Sequence, residues 1–459
     1  MPDACCLLLS SGGWGLNEDL IREVEHVVRA NDEWRLRQTI NLIASENVLS
    51  ARARALLPSD FGHRYAEGHP EPGKRYYQGT KHIDVVEAKT RDGMKKLFGV
   101  SHAEVRTVSG TNANDVVFSA FVKPEDKVIV NSLEVGGHIS HQPIGGMGKY
   151  TRNILRWPRD PKNGYAIDVA ASKDMLAKEK PKMVVIGKSL IMLPEPAKEI
   201  AAVCKELGVI CVFDGAHVLG LIAGKQFQDP LAEGCDILLG STHKTFFGPQ
   251  RGVVLSNIAD DKWKRIDKLA FPGCLSNHHL FTLPPLLVAT YEMIEFGPMY
   301  AKQVVANAQA FAKALAAAGF DVQLAEFGYT RSHQVAVDVK KQGGGRDCAE
   351  KLEANDIICN YNLLPHDDPK AVMKPSGLRL GVQEMTHWGM KEPEMAEIAR
   401  FFKACLIDGK SVKGEVNKFR GRFVDVKYSF DAPAGGGLED APTKKIKKGG
   451  APEPDLAGY

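Results

Sequence analysis

Four short apolar, β-rich runs in the middle of the chain leave it few folds to choose from. They cover residues 182–187, 208–213, 236–239 and 252–255, and a helical pattern, 197–207, separates the first two. Residues 104–108 and 127–130 read as further strands upstream. Strand, helix and strand in this order imply an α/β fold, a mostly parallel sheet with helices on both faces. Ligands of such sheets sit outside the carboxyl ends of the strands. Ser109, His138, Ser189, Asp214 and Lys244 all fall at or just after the expected strand ends. That shared position is the strongest functional argument the residues carry on their own.

Lys244 lies in Gly240-Ser241-Thr242-His243-Lys244-Thr245-Phe246-Phe247-Gly248-Pro249, directly after one such run. A lysine held there among small polar residues suits a Schiff base, for which its amine must be placed and lose its proton. Taken alone, so short a motif reads as a solvated loop lysine. What changes that is the run 209–213, which ends in Asp214-Gly215-Ala216-His217. A lysine and an aspartate at the ends of two strands are the pair a pyridoxal 5′-phosphate site needs. The lysine holds the aldehyde, and the carboxylate keeps the pyridine nitrogen protonated.

Other segments add candidates. Ser109-Gly110-Thr111 enters an apolar helical run, where free N–H groups and the positive dipole end suit a phosphate. Ordinary helix capping explains the same residues. Gly136-Gly137-His138-Ile139-Ser140-His141 lets the backbone approach a ligand and supplies a ring to lie over one. Two histidines three apart can also hold a metal, but no carboxylate or cysteine completes a site nearby, so none is expected. Residues 65–77 are dense in Pro, Gly and Tyr and read as a functional loop, with Glu67 as a candidate acid/base and Tyr65 and Tyr77 as candidate phosphate or carboxylate contacts. Ser45 and Glu46 follow an apolar stretch and read on their own as a cap or a turn. Arg379, inside the apolar strand 375–381, needs an acidic partner or an anionic ligand, because an unpaired buried charge is costly.

Composition excludes little but narrows the setting. The 459 residues are 44% apolar and 25% charged, as in ordinary globular chains, and allow two or three domains. A net charge of +3 gives no field for nucleic acid or membrane. Nine scattered cysteines without a C-x-x-C pair read as reduced thiols in a cytoplasmic protein. No stretch reads as a signal peptide or a membrane span.

Several of these stretches resemble one known family. Thr242-His243-Lys244-Thr245, Asp214-Gly215-Ala216-His217, Asn41-Leu42-Ile43-Ala44-Ser45-Glu46-Asn47 and Tyr65-Ala66-Glu67-Gly68, the last followed by Gly73-Lys74-Arg75-Tyr76-Tyr77, look like the motifs of serine hydroxymethyltransferase. The resemblance covers roughly residues 17 to 430 and is nearest the archaeal branch. It implies the aspartate-aminotransferase-like fold of pyridoxal phosphate enzymes, and reversible transfer of serine's hydroxymethyl group to a tetrahydrofolate-type pterin, giving glycine. It implies that Lys244 holds the cofactor, Asp214 its ring nitrogen, and that His138 stacks on the ring, with His217 beside the phenolic oxygen. Ser109, Gly110, Thr111, Ser241 and His243 would hold the phosphate, with Ser189 also against the cofactor. Arg379 and Ser45 would orient the substrate carboxylate, and Glu67 would manage protons. A homodimer with sites at the subunit interface is implied too.

Two stretches depart from the family's usual pattern. The loop after Glu67 is two residues longer, and Ser276-Asn277 stands where a glycine pair is usual. The expected organisation is an arm and helix over 1–48, with an amphipathic helix from Asn17. A cofactor domain over 49–297 and a smaller α/β domain over 298–430, opening with a helix over 298–318, follow. A Lys-rich tail over 431–459 supports no core. Two rivals remain: a threonine aldolase or transaldolase that needs no pterin, and a catalytically silent binding protein. Intact Lys244, Asp214 and Arg379 argue against the second.

Overall fold

The computed structural model describes residues 14–431. Most of the expected N-terminal arm and the tail beyond Asp431 lie outside the described residues. The first element is helix α1 (Trp14–Glu33). Its apolar side chains Leu20, Ile21, Val24, Val27 and Val28 are all more than half exposed. The amphipathic spacing is therefore real, but its apolar stripe is not buried among the described residues.

The centre is a seven-stranded sheet. Its strands are β1 (His102–Glu104), β2 (Val128–Val130), β3 (Ile154–Arg156), β4 (Met183–Ile186), β5 (Ile210–Asp214), β6 (Ile237–Ser241) and β7 (Gly252–Ser256), in the order β1-β7-β6-β5-β4-β2-β3. Pairings are parallel from β6 through β3, and β7 runs antiparallel to both its neighbours. All residues of β2 and β4 are fully buried, as strands covered on both faces must be. That is why the apolar runs were continuous rather than alternating. Helix α2 (Gly110–Phe121) packs across β6 and β7.

Helix α1 begins three residues before the expected Asn17, and two further boundaries differ more. Residues 105–108 do not extend β1. The Arg106 amide and guanidinium both donate to the Glu104 carboxylate, at 2.7 and 2.9 Å, and regular pairing with β7 stops there, leaving one further bond from the Gly252 amide to the Thr107 carbonyl at 3.0 Å. The helix expected from residue 298 instead begins fifteen residues earlier, as α3 (Leu283–Ala317), and runs through Pro298. Two prolines in its first turn start it, where no N–H is needed. Its packing overrides the missing amide of Pro298: a Cβ on Gly224 would come within 2.5 Å of the Gly297 carbonyl oxygen.

Beyond α3 lies an antiparallel sheet of β8 (Asp321–Val322), β9 (Gln334–Asp338), β10 (Asn360–Asn362) and β11 (Gly377–Gly381), in the order β10-β11-β9-β8. Helix α4 (Glu392–Leu406) packs along α3. Ile40–Asn41 pairs with Ile357–Ile358, which ties the segment before Ser45 to this C-terminal half. No helix among the described residues is long and apolar enough to cross a membrane.

Candidate active site

Parallel strands deliver their last residues to one edge of the sheet. Asp214 ends β5 and Ser241 ends β6, and Asp214 lies opposite Leu239 in register. Beyond this edge is a cavity of about 230 Å³. Ser109, Gly110, Thr111, His138, Ser189, Asp214, His217, Ser241, His243 and Lys244 all line it. All ten expected cofactor contacts are thus brought together.

Lys244 is buried, and burial lowers its ammonium from 10.5 to about 8; Asp214 opposes the shift and Arg379 adds to it. At a pH of about 7.5 roughly a quarter of such amines are neutral, against roughly a thousandth for an exposed lysine. The backbone beyond it is pinned, because the Asn47 side-chain amide donates to the Lys244 carbonyl at 2.7 Å.

Asp214 is kept ionised. Burial works against its charge, but the hydrogen bond and charge of His141, with His138 and Asn114, outweigh it and hold the carboxyl well below the usual range. His141 Nε2 lies 2.9 Å from Oδ2, Asn114 donates to the same oxygen at 3.0 Å, and the Ala216 amide donates to Oδ1 at 3.0 Å. His141 and Asn114 carried no assigned role in the sequence. Their signal was present: His141 falls three residues after His138, and Asn114 lies one helical turn from Gly110. His138 is lowered to about 4, by burial first, so its ring is neutral. Its Nδ1 lies 2.7 Å from the Ser140 hydroxyl.

At the other end of the cavity, Ser109 caps α2, its hydroxyl accepting from the Asn112 amide at 3.0 Å. Capping and phosphate binding are thus both available, since the next amides stay free. A Cβ on Gly110 would collide with the Ser241 hydroxyl, so only glycine lets the two segments close on each other. His243 has its Nδ1 buried without a partner among the described residues.

The C-terminal half backs the cavity wall at Ser189. Arg379 is central in β11; its Nη1 donates to the Ser189 carbonyl at 3.1 Å and its Nε to Asn360 at 3.3 Å. No carboxylate pairs with it among the described residues, and burial lowers it to about 10. The acidic protein partner that the sequence left open is absent there. Gln334, also unassigned beforehand, donates to the Ser189 carbonyl at 2.8 Å and lies 3.0 Å from His217 Nδ1. His217, stacked on His333, is held well below its ordinary value by burial first.

Such an arrangement fits pyridoxal 5′-phosphate: a poised amine, a fixed carboxylate and a helix start closed by Gly110. The model of the family described as serine hydroxymethyltransferase matches residues 18–402. Proteins named serine hydroxymethyltransferase from Metallosphaera sedula and Pyrococcus abyssi are 46% and 49% identical over 90% and 89% of this chain and 96% of each relative. This chain belongs to the serine hydroxymethyltransferase family. Its fold, with a mostly parallel sheet, is that of a solved L-threonine transaldolase from Pseudomonas fluorescens, at TM-score 0.81 and 28% identity, over 91% of this chain and 95% of that one. The chain is a pyridoxal phosphate-dependent enzyme that transfers the hydroxymethyl group of serine. Relatives 44–49% identical carry that name, so the transaldolase alternative, at 28%, is not favoured.

Five expected residues do not line this cavity; Arg379 lies behind its wall at Ser189, and the other four stand further off. Ser45 lines an adjoining cleft of about 600 Å³, which shares His243 and Gln250 with the cavity. Glu67 sits in a separate small pocket with Arg106, Ser276 and His278. Tyr65 and Tyr77 are 52% and 44% exposed, their rings 5.3 Å apart.

Proposed function

We propose that the acceptor is a reduced pterin of the tetrahydrofolate type, and that the chain acts in one-carbon metabolism as a cytoplasmic homodimer on serine and glycine. The observation that carries the substrate reading is Arg379, a largely buried guanidinium beside the Lys244 cavity with no acidic partner among the described residues. A planar fork of this kind grips a carboxylate in two bonds, and an amino acid supplies one.

Lys244 would hold the cofactor's aldehyde and Asp214 its ring nitrogen. His138 would lie over the ring and His217 beside its phenolic oxygen, with Ser189 on the cavity wall. Ser109, Gly110, Thr111, Ser241 and His243 would take the phosphate. Pyridoxal phosphate supplies an electron sink for the pair left on the substrate's α-carbon. Arg379 orients the amino acid by its carboxylate, and Ser45 assists from the adjoining cleft. Glu67 passes a proton at the hydroxymethyl oxygen, a role that contributes roughly 100- to 10,000-fold. Neutral His138 and His217 add no cationic charge that competes for the phosphate or the carboxylate.

Glu67, Tyr65 and Tyr77 reach a cavity only if a second copy brings its own to them. Exposed apolar α1 supports that reading: burying such side chains against a partner contributes roughly 1.5–3 kcal/mol each. The proposed division into a larger N-terminal and a smaller C-terminal unit then falls along α3, which serves both.

The test is the product formed from serine with and without tetrahydrofolate. Formation of glycine accelerated by the pterin supports the reading. Ready release of glycine from threonine, with no pterin acceleration of serine turnover, would replace it with the aldolase reading.

A further inference from the structure

The two stretches that depart from the family's usual pattern meet in space. The Ser276 hydroxyl donates to Glu67 Oε1 at 2.6 Å. No other group among the described residues donates to that carboxylate. Next to it, Asn277 accepts from the Ala66 amide at 3.1 Å and donates to the Arg64 carbonyl at 2.9 Å. The backbone on the far side is gripped too: Arg75 and Arg106 each donate to the Gly68 carbonyl at 3.2 Å. Both guanidinium groups are themselves fixed, Arg75 by Glu87 at 2.8 Å and Arg106 by Asp267 at 2.7 Å. Gly68 takes φ +100 there, and a Cβ would strike the Lys74 carbonyl. The lengthened part of the loop is tied down in the same way, since His69 pairs with Asp267 at 3.1 Å.

We propose that Ser276 and Asn277 are positioning residues for Glu67: Ser276 aims the carboxylate, and Asn277 fixes the backbone that carries it. The proposal rests on the reading of Glu67 as the proton-transferring group. It explains why a hydroxyl and an amide stand where the usual glycines could do neither task. Arg75 and Arg106 set the loop's path, and Ser276 sets the side chain's direction at its end.

The test is a double-mutant cycle on the cofactor-loaded enzyme. Ser276→Ala should lower kcat of pterin-dependent serine cleavage about tenfold, the scale of one hydrogen bond to a charged group. KM for serine should stay within about twofold, since the substrate-binding groups are untouched. Ser276→Thr, which keeps the hydroxyl, should restore most of the rate. In the Glu67→Gln background, Ser276→Ala should change nothing further. Melting temperatures of all variants are measured alongside. Equal losses from Ser276→Ala in both backgrounds, with a lowered melting temperature, would show a role in folding alone and overturn the proposal. A wild-type kcat in Ser276→Ala, with Glu67→Gln collapsed, overturns the proposal and leaves the reading of Glu67 standing. Wild-type turnover in Glu67→Gln overturns both.

Discussion

Lys244→Met in the cofactor-free protein tests the site through stability rather than turnover. Met matches the length and apolar body of lysine but carries no charge. Lys244 holds its ammonium in a buried site at about 8, against an ordinary 10.5. Below about pH 8 the amine is charged in both the folded and the unfolded chain, and the folded state bears the full cost of burying it. Between the two values the unfolded chain binds a proton that the folded chain does not, so stability rises with pH. Above about 10.5 both forms are neutral and the cost is gone. The gap from 10.5 to about 8 corresponds to about 3.4 kcal/mol, at about 1.36 kcal/mol per unit.

The variant should therefore gain about 3 kcal/mol over the wild type at pH 7, relative to their difference at pH 10.5. Urea denaturation of both apo-proteins at a series of pH values reads this directly. Other groups titrate over the same range, but they titrate in both proteins and cancel in the difference. A difference that stays constant from pH 7 to 10.5 would refute a depressed amine. So would a difference that grows toward alkaline pH. Adding pyridoxal phosphate should stabilise the wild type and leave the variant less changed, because the variant has no amine to hold the aldehyde.

Asp214→Asn should keep bound cofactor, measured by absorbance, yet lose roughly 100-fold or more in turnover, the scale of one preorganised electrostatic contact. Near-normal turnover would reject its role. Arg379→Lys should raise KM for serine roughly 10- to 100-fold, because one ammonium cannot reproduce a two-bond grip; an unchanged KM would place the carboxylate elsewhere. Val24→Asp on the exposed stripe of α1 should weaken the proposed dimer, read by sedimentation, with little change in secondary structure by circular dichroism.

Much of the cavity was legible because its residues sit at strand ends, and buried parallel strands announce themselves as continuous apolar runs. β4, β5, β6 and β7 fall within two residues of the expected runs. What failed was decided by side chains acting across the chain. Glu104 and Arg106 are both polar and close in sequence, and regular pairing of β1 stops where they join. α3 ignores Pro298 because its neighbours hold it, which local propensity does not see. His141 and Gln334 were overlooked for a related reason. Each acts on another residue, Asp214 or His217, and not on a ligand, so no ligand-centred motif marks them.

Glu67, Tyr65, Tyr77 and the apolar stripe of α1 share one property that the proposed homodimer would account for. The stripe is spaced for burial and is exposed; the three loop residues are of site type and lie outside the cavity. The loop's backbone is nevertheless anchored, with Arg75 and Arg106 gripping the same Gly68 carbonyl. A loop anchored in this way, away from its own cavity, fits the homodimer proposed above. The proposed second copy would account for both features together, covering α1 and offering a cavity to Glu67. On that reading the anchoring network belongs to the partner's chemistry, and loosening it should lower turnover in proportion to dimer content. Mixing Lys244→Met and Glu67→Gln proteins under exchanging conditions tests this. Hybrid dimers then carry one site with both groups intact, and activity should reappear from two inactive parents. No recovery after verified subunit exchange would place Glu67 in its own chain's reaction.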